Sequence, residues 1–160
     1  MIDKRQIVSE LISHFKRELE LYEKVAAKAR EDAINSEVKQ EGKYDTRAIE
    51  AGYLAGAQKR RQEEIIFEVQ KLEALDLDSP FGEKVRSGSL VLLEEKAEQF
   101  WCFISPSSGG MNLNIGGESV RIISSVSPIA KALVSLDEGD CEIQLDLPAG
   151  RRELLKIRSV

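Results

Sequence analysis

Apolar side chains follow two different rhythms along this chain. Over the first 75 positions they recur at helical spacing. Ile7, Leu11, Phe15, Leu21, Tyr22, Val25, Ala29 and Ala33 fall on one stripe, which predicts a helix from Asp3, a good N-cap, to about Glu37. Ile49, Tyr53, Gly56, Ile66, Val69 and Leu72 form a second stripe, which predicts a helix from about Asp45 to about Leu75. The polar stretch Ser36–Tyr44, with Gly42 near the C-cap, suits the turn of an antiparallel helical hairpin. Each arm of about 35 residues extends roughly 50 Å.

Side-chain size varies along this hairpin. Ala26, Ala27, Ala29 and Ala33 face Ala48, Ala51, Gly52, Ala55, Gly56 and Ala57 near the turn, which predicts close approach and a thin tip. Leu11, Phe15 and Leu21 lie opposite Ile65, Ile66, Phe67 and Leu72, which predicts a packed base. Two readings follow from such a long, thin element. It reaches into a partner, or it is a plain antiparallel coiled coil used for dimerisation.

Beyond residue 80 the apolar positions come in short β-rich runs. Strands are predicted at Val85–Leu93, Phe100–Ile104, Asn112–Ile115, Ser119–Ser124, Cys141–Leu145 and Glu153–Ile157. Ser127-Pro128 opens a short helix, Ile129–Leu136, because proline is favoured in a first helical turn. The predicted fold class is therefore α+β: a long N-terminal antiparallel helical hairpin and a small C-terminal sheet domain with one short helix. The expected division is 1–76 for the hairpin, 77–84 for a linker around Ser79-Pro80, and 85–160 for the sheet domain.

Composition supports this division. All four prolines lie at or beyond Pro80, and only Gly42, Gly52 and Gly56 precede it among the glycines. Charged residues are 32% of the 160, above the usual quarter, as a long solvated hairpin requires. The net charge of −5 argues against nucleic-acid binding through bulk positive charge. No apolar run is long enough for a membrane span, and Met1–Arg5 lacks the apolar stretch of a signal peptide. Cys102 and Cys141 cannot build a disulfide framework, so a reducing cytoplasm and buried thiols are expected. His14 alone makes no zinc site and is expected at a helix-packing or surface position. Phe103 is expected in the core, and Trp101 there or as a surface anchor.

One combination is more specific. Ser127-Pro128-Ile129-Ala130-Lys131-Ala132-Leu133, followed by Asp137-Glu138-Gly139-Asp140 and the Pro148-Ala149-Gly150 turn, resembles the C-terminal domain of the bacterial GreA/GreB transcript-cleavage factors. The order of hairpin, linker and sheet domain also resembles that family, over nearly the whole chain. The resemblance implies an FKBP-like sheet domain that docks, through a surface including Ser127, Pro128 and Ile129, on the rim of the secondary channel of RNA polymerase. The docking partner is a helical hairpin of the largest catalytic subunit. It implies that the helical hairpin enters the channel, and that the protein is a cytoplasmic, monomeric accessory factor in elongation or initiation rather than an enzyme. Nascent RNA is met only within the complex. No intrinsic cofactor is implied; a Mg²⁺ shared with the polymerase active site is.

The tip departs from the family pattern Gly-Asp-Leu-x-Glu-Asn-Ala. Aligned on Gly42 and Ala48, the segment reads Gly42, Lys43, Tyr44, Asp45, Thr46, Arg47, Ala48, so its two acidic positions hold Lys43 and Thr46. A register placing the acid on Asp45 puts Ala48 where the glutamate belongs. A lysine there opposes a cation by like-charge repulsion. Glu37, Glu41 and Asp45 remain as candidate tip acids, with Glu41 and Asp45 the candidate metal ligands. Asp45 alternatively serves only as an N-cap. Lys59, Arg60 and Arg61 are candidates for RNA phosphate contact, or form a solvated face pairing with Glu63 and Glu64. Three functions follow: a polymerase-binding regulator lacking the usual tip carboxylates, a cleavage factor using Glu41 and Asp45, or an unrelated coiled-coil interaction protein.

Overall fold

The computed structural model describes residues 2–37, 46–78, 84–136, 141–148 and 150–159. Helix α1 spans Lys4–Glu37 and helix α2 spans Thr46–Glu73. Asp3 caps α1 as its short acidic side chain suggests. Its Oδ1 accepts the Arg5 N–H at 2.9 Å, and its carbonyl accepts the Ile7 N–H at 3.2 Å. The capping expected of Asp45 lies outside the described residues.

The chain forms two compact units that do not follow chain order. One is Ile12–Gln70; the other joins Met1–Leu11 to Lys71–Val160. In the first unit the helices are antiparallel, and one contact requires it. The Arg61 guanidinium lies 3.0 Å from Glu18. About 28 Å of α1 follows Glu18 and about 22 Å of α2 precedes Arg61, at 1.5 Å per residue. Parallel helices would separate the facing ends by roughly 50 Å, whereas residues 38–45 span about 30 Å even when fully extended.

The helical seam is narrower than its apolar stripes. Phe15 and Ile65 are buried, as expected. Leu21, Ile66 and Phe67 are exposed, against the expectation of a packed base, and so is Val25 of the α1 stripe. The reason is geometric: each helix of a pair has one neighbour, so only a narrow part of a 100° stripe finds cover. Gly52 and Gly56 differ from expectation too. A Cβ added at either meets nothing within 4 Å, so these small residues do not seat a close neighbour. The His14 ring stands edge-on to Phe15 at 5.5 Å, with His14 itself exposed.

The second unit holds a six-stranded sheet. Its strands are β1 (Leu90–Glu95), β2 (Glu98–Ser105), β3 (Met111–Ile115), β4 (Glu118–Ser124), β5 (Glu142–Leu147) and β6 (Gly150–Ser159). Helix α3 (Pro128–Val134) lies between β4 and β5 in the chain. The strand order is β3-β4-β2-β1-β6-β5. Only β2 and β4 run parallel, with Phe103 opposite Ile122; the other neighbours are antiparallel. Strand β1 begins later than the apolar run at Val85. Ser89 turns back on Arg86, its amide donating to the Arg86 carbonyl while its Oγ accepts the Arg86 N–H, both at 3.0 Å.

Period-two alternation gives the sheet two apolar faces. Val91, Leu93, Cys102, Ile104, Ile143, Leu145 and Leu154 pack with Ala130 and Leu133 of α3. Leu90, Phe103, Ile115, Val120 and Ile122 are buried on the opposite face. Ile7, Leu11 and Leu72, from the helix ends grouped with this sheet, are buried as well. Phe103 is thus core, Trp101 is half-buried, and Cys102 is buried. Cys141 is exposed instead of buried, because it precedes β5 rather than lying inside it. No helix among the described residues is long and apolar enough to cross a membrane.

Candidate functional site

Ser127 caps the start of α3. Its backbone is extended (φ −67°, ψ 152°) and its Oγ accepts the Ala130 N–H at 3.2 Å, which satisfies an amide that α3 leaves free. Pro128 follows in the first turn, where its missing N–H costs nothing. Ala130 and Leu133 anchor the buried side of the helix.

Two loops at this end of the sheet are tied together. Ser125 donates its amide to the Ser105 carbonyl at 2.8 Å and its hydroxyl to the Pro106 carbonyl. The Ser105 and Ser108 hydroxyls share a hydrogen bond of 2.8 Å. Ser127 donates its amide to the Ser124 carbonyl at 2.9 Å, and Gly110 to Ile122 at 2.9 Å. Gly109 lies so near the end of β4, where the second loop begins, that a Cβ there would come within 2.5 Å of the Ser124 nitrogen. Glycine is required at 109 by this approach of one backbone to another. The braced loops display apolar surface: Val126 is 67% exposed, Pro128 is exposed, and Ile129 is half-buried. Sequence reasoning missed Val126, whose one signal is an apolar residue set among three serines, Ser124, Ser125 and Ser127.

In the hairpin, Lys59 and Arg60 are exposed. Arg61 is engaged by its own unit. Its Nε and Nη2 donate to one oxygen of Glu18 at 3.1 and 3.0 Å, and its Nη1 reaches Glu64 at 3.4 Å. Burial works to lower the Arg61 pKa, but the hydrogen bonds and charge of Glu18, with help from Glu64 and Tyr22, outweigh it and raise the pKa.

The tip yields less. Glu37 ends α1, and Thr46 and Arg47 open α2. Glu41, Gly42, Lys43, Tyr44 and Asp45 lie outside the described residues. Among the described residues, no group of three or more His, Cys, Asp or Glu side chains is placed to hold a metal ion.

A charged group surrounds the start of α1. Arg5 Nη2 meets Asp78 Oδ1 at 2.6 Å, a hydrogen bond that raises the arginine pKa. The Lys4 pKa is lowered by burial and by the charge of Arg86, against the opposing pull of Asp78 and Asp76.

No protein-family model and no curated protein matches the chain. Solved structures do resemble it. The crystal structure of Gfh1 from Thermus aquaticus shares 21% identity over 98% of this chain and 93% of its own, with a TM-score of 0.38. That of GreA factor homolog 1 (Gfh1) from Thermus thermophilus shares 23% identity over 93% of this chain and 94% of its own, again with a TM-score of 0.38. A further structure, titled as that of the transcription factor Gfh1, shares 23% identity over 96% of this chain, with a TM-score of 0.37.

Proposed function

We propose that this chain is an accessory regulator of RNA polymerase of the GreA/GreB type. It docks through the Ser127–Ile129 end of its sheet domain and sends the α1–α2 hairpin into the secondary channel. The observation that carries the reading is the sequence Ser127-Pro128-Ile129-Ala130-Lys131-Ala132-Leu133, folded as a capped helix start on a braced pair of loops with Val126 and Pro128 outward. The reading is supported by a helical hairpin ahead of a small mixed sheet. Exposed apolar side chains on rigid backbone are what a protein partner selects.

The hairpin acts by occupation rather than by tip chemistry in this proposal. Lys43 and Thr46 stand at the resemblance's two acidic positions, and lysine repels a divalent cation where a carboxylate would hold it. The test combines binding and cleavage. The chain should bind core RNA polymerase and compete with a known cleavage factor on backtracked complexes without stimulating RNA cleavage. Cleavage that is stimulated by the chain and abolished by Glu41→Gln or Asp45→Asn would assign it to the active class instead. Absence of polymerase binding would leave the coiled-coil interaction reading.

A further inference from the structure

The sheet has a notch at the end away from the Ser127 loops. Strand β1 pairs with β6 only from Val91 opposite Ser159 to Glu94 opposite Leu155. It then turns at Lys96-Ala97 into β2. Strand β6 begins five positions earlier, at Gly150, and over that stretch its described pairing is with β5 alone. The direction of its backbone groups follows from one bond. The Lys156 amide donates to the Cys141 carbonyl at 2.7 Å, toward β5. Alternation then points the N–H and C=O of Glu153 and Arg151 the other way, into the notch. Concavities of about 380 and 370 Å³ open there, both lined by Lys96 and Glu153.

Side chains around the notch set its chemistry. Glu94 and Glu142 lie on either side of Leu155 in one cross-strand row, and Leu155 is 39% exposed. Glu153 lies on the same face, two residues from Leu155. Arg151 is turned back on its own ribbon, donating to Gln144 and lying 3.6 Å from Glu153. Among the described side chains that line these concavities, the carboxylates of Glu94, Glu95, Glu142 and Glu153 outnumber the cations of Lys96 and Arg151.

From this arrangement we infer that the notch takes an extended polypeptide segment of another protein as an added strand in line with β1, with lysine or arginine at alternate positions facing Glu94, Glu142 and Glu153. Backbone groups of Arg151 and Glu153 supply the ladder, and the carboxylates select the side chains. This site is separate from the docking loops, and its test does not involve polymerase.

The probe is a blocked peptide, Val-Lys-Val-Lys-Val, titrated into the ¹⁵N-labelled full chain. Expected are shifts centred on the Arg151 and Glu153 amides, with hydrogen exchange there slowed at least tenfold. Glu153→Pro removes an N–H that faces the notch and none that faces β5, so it should weaken binding at least tenfold while amides elsewhere stay in place. Glu142→Lys reverses one charge without touching the ladder, and should weaken binding several-fold even if the proline variant fails to fold. Equal binding of Val-Glu-Val-Glu-Val, or shifts lying elsewhere, would overturn the inference. So would self-association of the chain that Glu153→Pro or Glu142→Lys abolishes, since a second copy would then be the occupant.

Discussion

Arg61 and Glu18, 43 positions apart, join the two arms of the hairpin through paired hydrogen bonds of 3.0 and 3.1 Å to one carboxylate oxygen. Both side chains retain solvent access, at 41% and 24%. The pair is therefore worth about 0.5 kcal/mol after solvent screening. A double-mutant cycle with Glu18→Gln and Arg61→Met should give a coupling of that size, and it should shrink in 1 M salt, where the Debye length is about 3 Å. Coupling that is unchanged by salt would mean that packing, not charge, joins the two side chains.

The exposed apolar residues of the hairpin should be energetically cheap and the seam residues costly. Ile65 is fully buried, so Ile65→Ala should cost about 2–5 kcal/mol in urea unfolding. Leu21 is 61% exposed, and Leu21→Ala should cost less than about 1 kcal/mol. Comparable losses at the two positions would contradict the narrow seam.

Lys4 has a pKa lowered by burial and by Arg86, so the folded chain releases its proton at lower pH than the unfolded chain does. Between the folded pKa and the ordinary lysine value of 10.5, the unfolded state binds more protons. Stability from this group therefore rises as pH increases through that window. Lys4→Met removes the effect. Its stability advantage over the wild type should be largest at neutral pH and should narrow toward pH 10.5, read as the difference in urea midpoint. An advantage that widens with pH would reverse the sign argued here.

Much of the fold is legible in the sequence because the signals are local. The absence of proline before Pro80 and the helical stripes mark α1 and α2, and Ser127-Pro128 marks α3 within a residue of its start. What escaped notice depends on distant partners. Nothing near Arg5 announces Asp78, and nothing near Arg61 announces Glu18. The parallel pairing of β2 with β4 joins segments separated by the whole of β3. The β1–β2 turn is hidden for another reason. Lys96 and Ala97 both take positive φ, 51° and 66°, where such a turn usually carries Asn-Gly, so the composition cue is missing. At the site, Ser127 and Pro128 were readable from the chemistry of a helix start. Val126 was not, since its exposure depends on how the two loops are braced.

Docking through the braced loops predicts a division between mutant classes. Pro128→Ala and Val126→Asp change the displayed surface while Ser127 still caps α3. Both should weaken binding to core polymerase, Val126→Asp by tenfold or more because it places a charge where the proposed docking needs an apolar contact. Lys43→Ala and Thr46→Ala at the tip should leave that affinity within about twofold. Affinities measured for the four variants on one preparation of polymerase decide this. A tip variant that weakens binding as much as Val126→Asp would move the main anchor into the hairpin.

Gly109 tests whether the bracing itself matters. An alanine Cβ there would meet the Ser124 nitrogen at 2.5 Å and the carbonyl carbon of Ile123 at 3.1 Å. These are backbone atoms of a strand end and cannot swing aside, so the loop carrying residue 109 must move. Gly110 offers the matched control: a Cβ there meets nothing within 4 Å, and its φ of +86° imposes only a local backbone cost. Gly110→Ala should therefore cost about 1 kcal/mol of stability with little loss of polymerase affinity. Gly109→Ala should cost about 1–3 kcal/mol and weaken polymerase binding as well, because displacing residues 105–110 withdraws the Ser105 and Pro106 carbonyls that hold Ser125 beside Val126. Stability loss at Gly109 without loss of affinity would show that Val126 and Pro128 hold their positions without the second loop.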